Sequence, residues 1–296
     1  FILLGAGIIH QGVNAGIEKW SARLMPVLLI MLVALIAYIL QQPGAEQGLR
    51  TYLIPDFSQV TNPKLIISAM GQAFFSLSIG VGGMMVYGSY MKKDRDIGKL
   101  AISITALDTF IAFMAGLLII PALYVAQEAG QQVFQGEKLI GEGQLIFNIL
   151  PELFNSMGNI GMLVAIGFFS LLSIAALTST ISSTEVPVAY LVEDKKFSRS
   201  KATWLVSAIV LTASMTLIAF FDSLFGLVIR VLTTILQPLS CLFYFIVVGW
   251  LWKRGNKLRD VSLQEGRKWL PIWGNYLRFV CPLLLTVVFV NVAILN

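Results

Sequence analysis

The sequence predicts an all-α membrane protein, and three observations carry that prediction. Of its 296 residues, 57% are hydrophobic and only 12% charged, with a mean hydropathy of +0.80; a soluble domain carries about 25% charged residues. The apolar residues gather in runs of roughly 20 or more, the length that crosses a bilayer as a helix. Sixteen of the 21 Lys and Arg residues fall in alternate connections: Lys19 and Arg23; Lys92, Lys93, Arg95 and Lys99; Lys195, Lys196, Arg199 and Lys201; and Lys253, Arg254, Lys257, Arg259, Arg267 and Lys268. That is the positive-inside pattern, which places those four connections in the cytoplasm. The net charge of +5 is therefore topological and gives no indication of a nucleic-acid partner.

In chain order, residues 1–9 read as the tail of a span, followed by spans at 22–41, 65–91, 98–126, 159–191, 202–221, 224–252 and 273–295. Together they form a single transmembrane domain over 1–296. The connection 42–63 is polar, holds Pro43, Gly44 and Pro55, and reads as extracellular. Residues 127–158 form a longer extracellular loop, with helical periodicity around Pro151. In "VEDKKFSRSKA", Ser198 reads as the N-cap of the next helix. Cys241 and Cys281 lie inside spans and fit neither a metal spacing nor a disulfide framework. The chain opens at Phe1 with a segment too short to span, so the expectation is the C-terminal portion of a longer protein.

Polar residues inside the spans carry the functional reading, because ionisable groups at membrane depth are costly and point to function. Asp108 falls near the middle of its span; the alternative is a buried Asp clamping neighbouring helices. Glu185 lies toward the cytoplasmic half of its span and reads equally as a polar clamp. Around Thr178, "TSTISST" puts six hydroxyls in seven positions. Single hydroxyls usually bond their own helix or glue helices together, yet a cluster of hard oxygens also suits Na⁺. The stretch "GQAFFSLSIGVGG", Gly71 to Gly83, holds Ser76, Ser78, Gly80, Gly82 and Gly83 at mid-depth. Glycines weaken a helix, and serines compete for its backbone groups. An unwound turn is tolerated at that depth only where it lines a protein-enclosed cavity. The expectation is a helix broken at Ser76–Gly80, the alternative a Gly-faced packing surface.

These residues resemble the neurotransmitter:sodium symporter family, especially its bacterial amino-acid transporters. "GQAFFSLSIGVGGMMVYGSYMKKDRDI" is similar to the family's sixth helix, "LDTFIAFMAG" to its seventh and "ALTSTISSTEVPVAYLVEDKKFSRSKA" to its eighth. "GIEKWSARLMP" has the fifth helix's Gly, nine residues, Pro spacing, and "LTTILQPL" stands where the tenth belongs. The resemblance runs from the end of helix four to helix eleven. It implies the inverted-repeat sodium symporter fold with broken helices, the N-terminal helices one to three being missing from this chain.

It also implies roles. Substrate contacts are Phe75, Ser76, Ser78, Val81, Ser179 and Ser183, with Phe75 an aromatic lid. One sodium site uses the Ala175 carbonyl with Thr178 and Ser179; the other uses Ser76 and Asp108. Gln72 and Ala112 occupy the family's chloride region. Gly16 and Pro26 let helix five unwind at its cytoplasmic end, since Gly lowers helix stability and Pro lacks a donor. Two departures stand out. Many relatives have Asn and Ser at the positions of Asp108 and Ala112, so a fixed carboxylate here replaces the anion. An acidic outer-gate residue is common in helix ten, where this chain has Ile229 and Arg230.

The implied function is a sodium-coupled symporter that imports amino acids or related small zwitterions by alternating access. Na⁺ is its coupling ion, chloride is not required, and it is not an enzyme. Its partners are an amino-acid-like small molecule and the lipid bilayer, with no nucleic acid, and its place is the bacterial plasma (inner) membrane. The alternatives are a transport-incompetent fragment or receptor-like relative, and an intramembrane enzyme using Asp108 or Ser179. The enzyme reading lacks a base, because His10 is the only histidine.

Overall fold

The computed structural model describes residues 1–91, 96–135, 138–139, 145–251 and 274–290. Its helices are α1 (Ile2–His10), α2 (Lys19–Ile39), α3 (Ala45–Leu53), α4 (Pro63–Ser76), α5 (Gly83–Ser89), α6 (Ile97–Glu128), α7 (Leu150–Ser156), α8 (Gly158–Glu193), α9 (Arg199–Ala219), α10 (Phe221–Ile229), α11 (Gln237–Ile246) and α12 (Cys281–Val290). The described β structure is a two-residue antiparallel pair, Phe134–Gln135 with Lys138–Leu139. The class is all-α, as expected. Five described helical stretches are long and apolar enough to cross a membrane: Ala15–Ile39, Gly98–Glu128, Ile160–Glu193, Arg199–Ala219 and Ser223–Leu251. The whole connection between the spans expected at 224–252 and 273–295 lies outside the described residues, as do residues 291–295 of the last of them.

The chain divides into two units. The first comprises Phe1–Phe57, Asp96–Thr184 and Ser198–Thr203. Its core packs Leu32, Leu35 and Ile39 of α2 against Leu118 and Ala122 of α6 and Phe168 of α8. Phe154 of α7 joins this core, its ring centroid 5.6 Å from that of Phe168. α3 lies in the connection expected to be a polar loop. Its nine residues are tied by an exposed Glu46–Arg50 ion pair at 2.8 Å. They settle because Gly48 meets the backbone of α6 at Pro121, where a Cβ would come within 2.6 Å of the Pro121 Cα. At the other end of α3, Tyr52 stacks on Phe113 at 5.5 Å and donates to the Phe113 carbonyl at 3.2 Å.

α1 packs on α8, with Gly5 facing Leu177, Thr180 and Ile181. Its C-terminal end is held by a distant side chain: Arg199 Nε donates to the Ile9 carbonyl at 2.9 Å. A cation at a helix C-terminus meets the negative end of the macrodipole as well as an orphan carbonyl. Ser198 caps α9, accepting from Lys201 N at 3.4 Å. Arg199→Ala is expected to cost about 1 kcal/mol of stability, measured as a lower melting temperature in detergent; an unchanged melting temperature counts against the cap.

The second unit comprises Ser58–Arg95, Glu185–Phe197 and Trp204–Asn296. α11 packs on α12, and α4 also touches α12. Leu285 and Cys241 are each 1% exposed at the centre of that packing. Trp250 donates to the Arg278 carbonyl at 3.1 Å while the Arg278 guanidinium lies 5.2 Å from its ring. Between α10 and α11, Arg230–Leu236 winds as a π-helix. Glu185 is fully buried and accepts from the Tyr90 hydroxyl at 2.9 Å. This is the polar-clamp geometry that the sequence left as one of two readings.

Candidate functional site

The segment 65–91 is not one helix. Asn62 caps α4, accepting from Lys64 N at 3.0 Å, and Pro63 opens its first turn. The helix stops at Ser76, and α5 begins only at Gly83. The ending has a defined cause. Ser78 adopts a left-handed backbone, φ 52°. Its N–H bonds the Phe75 carbonyl at 3.0 Å, and the N–H of Ile79 bonds the Phe74 carbonyl at 3.1 Å. These two bonds make a Schellman motif, in which the left-handed position is usually glycine. A serine there carries about 1–2 kcal/mol of strain, so the surrounding structure must hold it. The turn then bends through Gly80 at φ 90° and Gly82 at φ 88°, where Gly82 caps α5. The expected break at Ser76–Gly80 is found at Leu77–Gly82, one residue later at its start and two later at its end.

Residues of the substrate list sit around this break. Phe75 is 53% exposed and Val81 is 47% exposed. Ser76 and Ser78 are exposed too, as is Gln72, one turn before Ser76 on α4. All belong to the second unit.

The first unit holds the others. Ser179 and Ser183 are exposed and one helical turn apart on α8, so they share a face. Thr178 is partly buried and donates to the Ala175 carbonyl at 2.8 Å. That is the self-bonding a helical threonine commonly shows. It also brings together the two oxygens expected to share a sodium ion. Two oxygens at that separation can both reach a hard cation at roughly 2.3–2.6 Å once the hydroxyl proton turns away. Asp108 is partly buried and Ala112 exposed, a turn apart on α6. Among the described residues no three His, Cys, Asp or Glu side chains come together as a metal site. The oxygens that come together here are the Thr178 hydroxyl and the Ala175 carbonyl.

A family model described as "SNF: Sodium:neurotransmitter symporter family" matches residues 1–296. The chain belongs to the sodium:neurotransmitter symporter family. An uncharacterized sodium-dependent transporter of Haemophilus influenzae is 34% identical over 98% of this chain, and one of Bacillus subtilis is 29% identical over 98%. The chain spans 64% and 65% of their lengths. A crystal structure of MhsT in complex with L-phenylalanine superposes with a TM-score of 0.80 at 32% identity, covering 99% of this chain and 66% of that one. This chain is accordingly a multi-pass integral membrane protein of the bacterial inner-membrane type, with the symporter fold.

Within that family fold the fifth-helix positions take a form the sequence did not reveal. Val13–Glu18 is π-helical and follows Gly12 at φ 92°. Gly16 lies so close to α1 that a Cβ would collide with the Ile8 carbonyl oxygen. Glycine at 16 is thus demanded by close backbone approach, a packing reason independent of unwinding. Pro26 lies inside α2. Ile229 closes α10 and Arg230 opens the π-helical stretch.

One residue that sequence reasoning passed over stands at the break. Gln237, 8% exposed, donates to the carbonyls of Phe74 at 3.3 Å and Ile79 at 3.2 Å. The available signal was a buried-type polar residue inside "LTTILQPL", next to Pro238.

Proposed function

We propose that this chain is part of a sodium-coupled symporter that imports amino acids or related small zwitterions by alternating access and does not need chloride. The observation that carries the reading is the broken helix at Leu77–Gly82, with its Ser78 held in a strained left-handed conformation beside exposed Phe75 and Val81. Strain of this kind persists where function requires it. A helix ended at mid-depth offers free backbone groups to the carboxylate and ammonium of a zwitterion, and Ser76, Ser78, Ser179 and Ser183 add hydroxyls. The MhsT structure holds L-phenylalanine, an amino acid of the proposed class.

In this reading Na⁺ is cargo. The Ala175 carbonyl with the hydroxyls of Thr178 and Ser179 binds one ion, and Ser76 and Asp108 serve another. Na⁺ stabilises the substrate-bound, outward-facing protein, so the downhill ion gradient moves substrate inward. No bond is made or broken. The π-helical turn around Gly16, followed by Pro26, supplies a helix start already off the regular hydrogen-bond ladder, suited to opening. Gln72 and Ala112 stand for the chloride region, where Asp108 takes over the anion's charge.

The test is uptake by the full-length protein in liposomes, with tritiated L-phenylalanine first and the other amino acids after it. Uptake driven by an inward Na⁺ gradient, and absent with K⁺, is expected; no Na⁺-dependent uptake of any amino acid overturns the reading. Thr178→Val keeps the volume and removes the oxygen. It should raise the half-saturating Na⁺ concentration at least about tenfold, roughly 1.4 kcal/mol. Unchanged Na⁺ dependence at normal expression removes Thr178 from the ion site.

A further inference from the structure

We infer that Gln237 is a positioning residue that holds the break open in the shape that binds substrate, an inference that rests on the symport reading above. The side-chain amide of Gln237 meets two backbone carbonyls, Phe74 on the last turn of α4 and Ile79 beyond the break, at 3.3 and 3.2 Å. Both partners are acceptors, so the nitrogen faces them, and its two protons serve one carbonyl each. The two carbonyls lie on opposite sides of Ser78, the left-handed residue. A single side chain therefore ties the end of one half-helix to the chain entering the next.

The same stretch of α11 also seats the turn from below. A Cβ on Gly80 would lie 2.5 Å from the Gln237 carbonyl oxygen and 3.1 Å from both the Cβ and the N of Cys241. The backbone of residue 237 fixes where the turn rests, and its side chain fixes how far the turn opens. Gln237 is buried and its two carbonyl partners are partly so, which raises both the worth of a hydrogen bond and the cost of an unmade one. The π-helical stretch Arg230–Leu236 runs straight into Gln237, and such departures from the α-helix are frequent at functional sites.

The chemistry demands a donor. A carboxyl at 237 has the same size but offers only acceptors when ionised and a single donor when protonated, against two carbonyl oxygens that each need one. A leucine fills the space without bonding. Ser76 and Ser78 lie between the two tied carbonyls and Val81 two residues beyond them, so loosening the segment should act on binding before turnover.

The experiment compares Gln237→Glu and Gln237→Leu with wild type in the full-length protein. Uptake of tritiated L-phenylalanine, or of whichever amino acid the wild type takes up, is measured in liposomes. In both variants KM should rise at least about tenfold while the maximal rate stays within about threefold of wild type. Amide hydrogen exchange in detergent supplies a readout that needs no substrate. Exchange across Leu77–Gly82 should speed up at least about tenfold, while exchange in α2 stays at the wild-type rate. A wild-type KM in Gln237→Glu overturns the inference. So does exchange that is unaltered at Leu77–Gly82, or accelerated equally in α2, the signature of a merely structural residue. Should Gln237→Leu fail to fold, the equally sized Gln237→Glu still decides. A wild-type protein with no Na⁺-dependent uptake would defeat the symport reading instead, and the exchange comparison would still test the tie.

Discussion

Uptake by the full-length protein should persist when chloride is replaced by gluconate, and Asp108→Asn should abolish it under those conditions. The reason is charge. Two unit charges about 4 Å apart at an effective dielectric of about 20 interact by roughly 4 kcal/mol, so a carboxylate beside a bound Na⁺ can supply the counter-charge that a bound chloride ion would. Removing it leaves a cation without its counter-charge, and a loss of that size is on the order of a thousandfold in ion affinity. Asp108→Asn combined with Ala112→Ser, the pair that the family resemblance implies for a chloride-dependent arrangement, should recover uptake only when chloride is supplied. An Asp that only clamps helices predicts poor expression of Asp108→Asn and no ion-specific behaviour. Collapse of wild-type uptake in gluconate would remove the charge-substitution idea altogether.

The second large effect belongs to Gly80. Gly80→Ala should destabilise the protein by about 2–5 kcal/mol. The left-handed backbone costs an L-residue about 1–2 kcal/mol, and a methyl forced against fixed backbone adds about 1–3 kcal/mol. Its φ is 90°, and the obstructing atoms include the Gln237 carbonyl oxygen and the Cys241 backbone nitrogen, neither of which can rotate away. Gly83→Ala is the control, because its added Cβ meets nothing within 4 Å. Thermal unfolding in detergent with bound substrate and Na⁺ measures both. Equal melting temperatures for the two variants would show that the turn yields easily and that the seat on α11 is unimportant.

The break was legible in sequence because its cause is local. Ser76, Ser78, Gly80 and Gly82 each disfavour a regular helix, and their crowding into one apolar run has few other meanings. The shift from Ser76–Gly80 to Leu77–Gly82 reflects the Schellman ending, which keeps Ser76 helical and spends the left-handed conformation on Ser78. The α3 helix was hidden for the opposite reason. Gly48 argues against a helix by propensity, and only the backbone of Pro121, 73 positions later, explains it. Gln237 was hidden in the same way. Nothing in "LTTILQPL" says that its amide meets carbonyls more than 150 residues earlier in the chain. Thr178 was half legible: the hydroxyl cluster pointed to oxygen chemistry, while its bond to Ala175 appears only in three dimensions.

The π-helical turns of Arg230–Leu236 have a consequence for how this rod presents its sides. A regular helix advances about 100° per residue, and a π turn takes in about one residue more than an α turn. The helical phase therefore slips by on the order of 100° across the stretch, directly ahead of Pro238. A residue whose spacing from α10 would place it on one side emerges on another by the time the chain reaches α11. Gln237 and Cys241, four apart, share the side that meets the break, and a ruler of period 3.6 laid from Phe221 would point it elsewhere. The extra residue works as an angular offset stored in the backbone, so a single insertion or deletion there would turn every downstream side chain away from its present neighbour while leaving composition and hydropathy nearly unchanged.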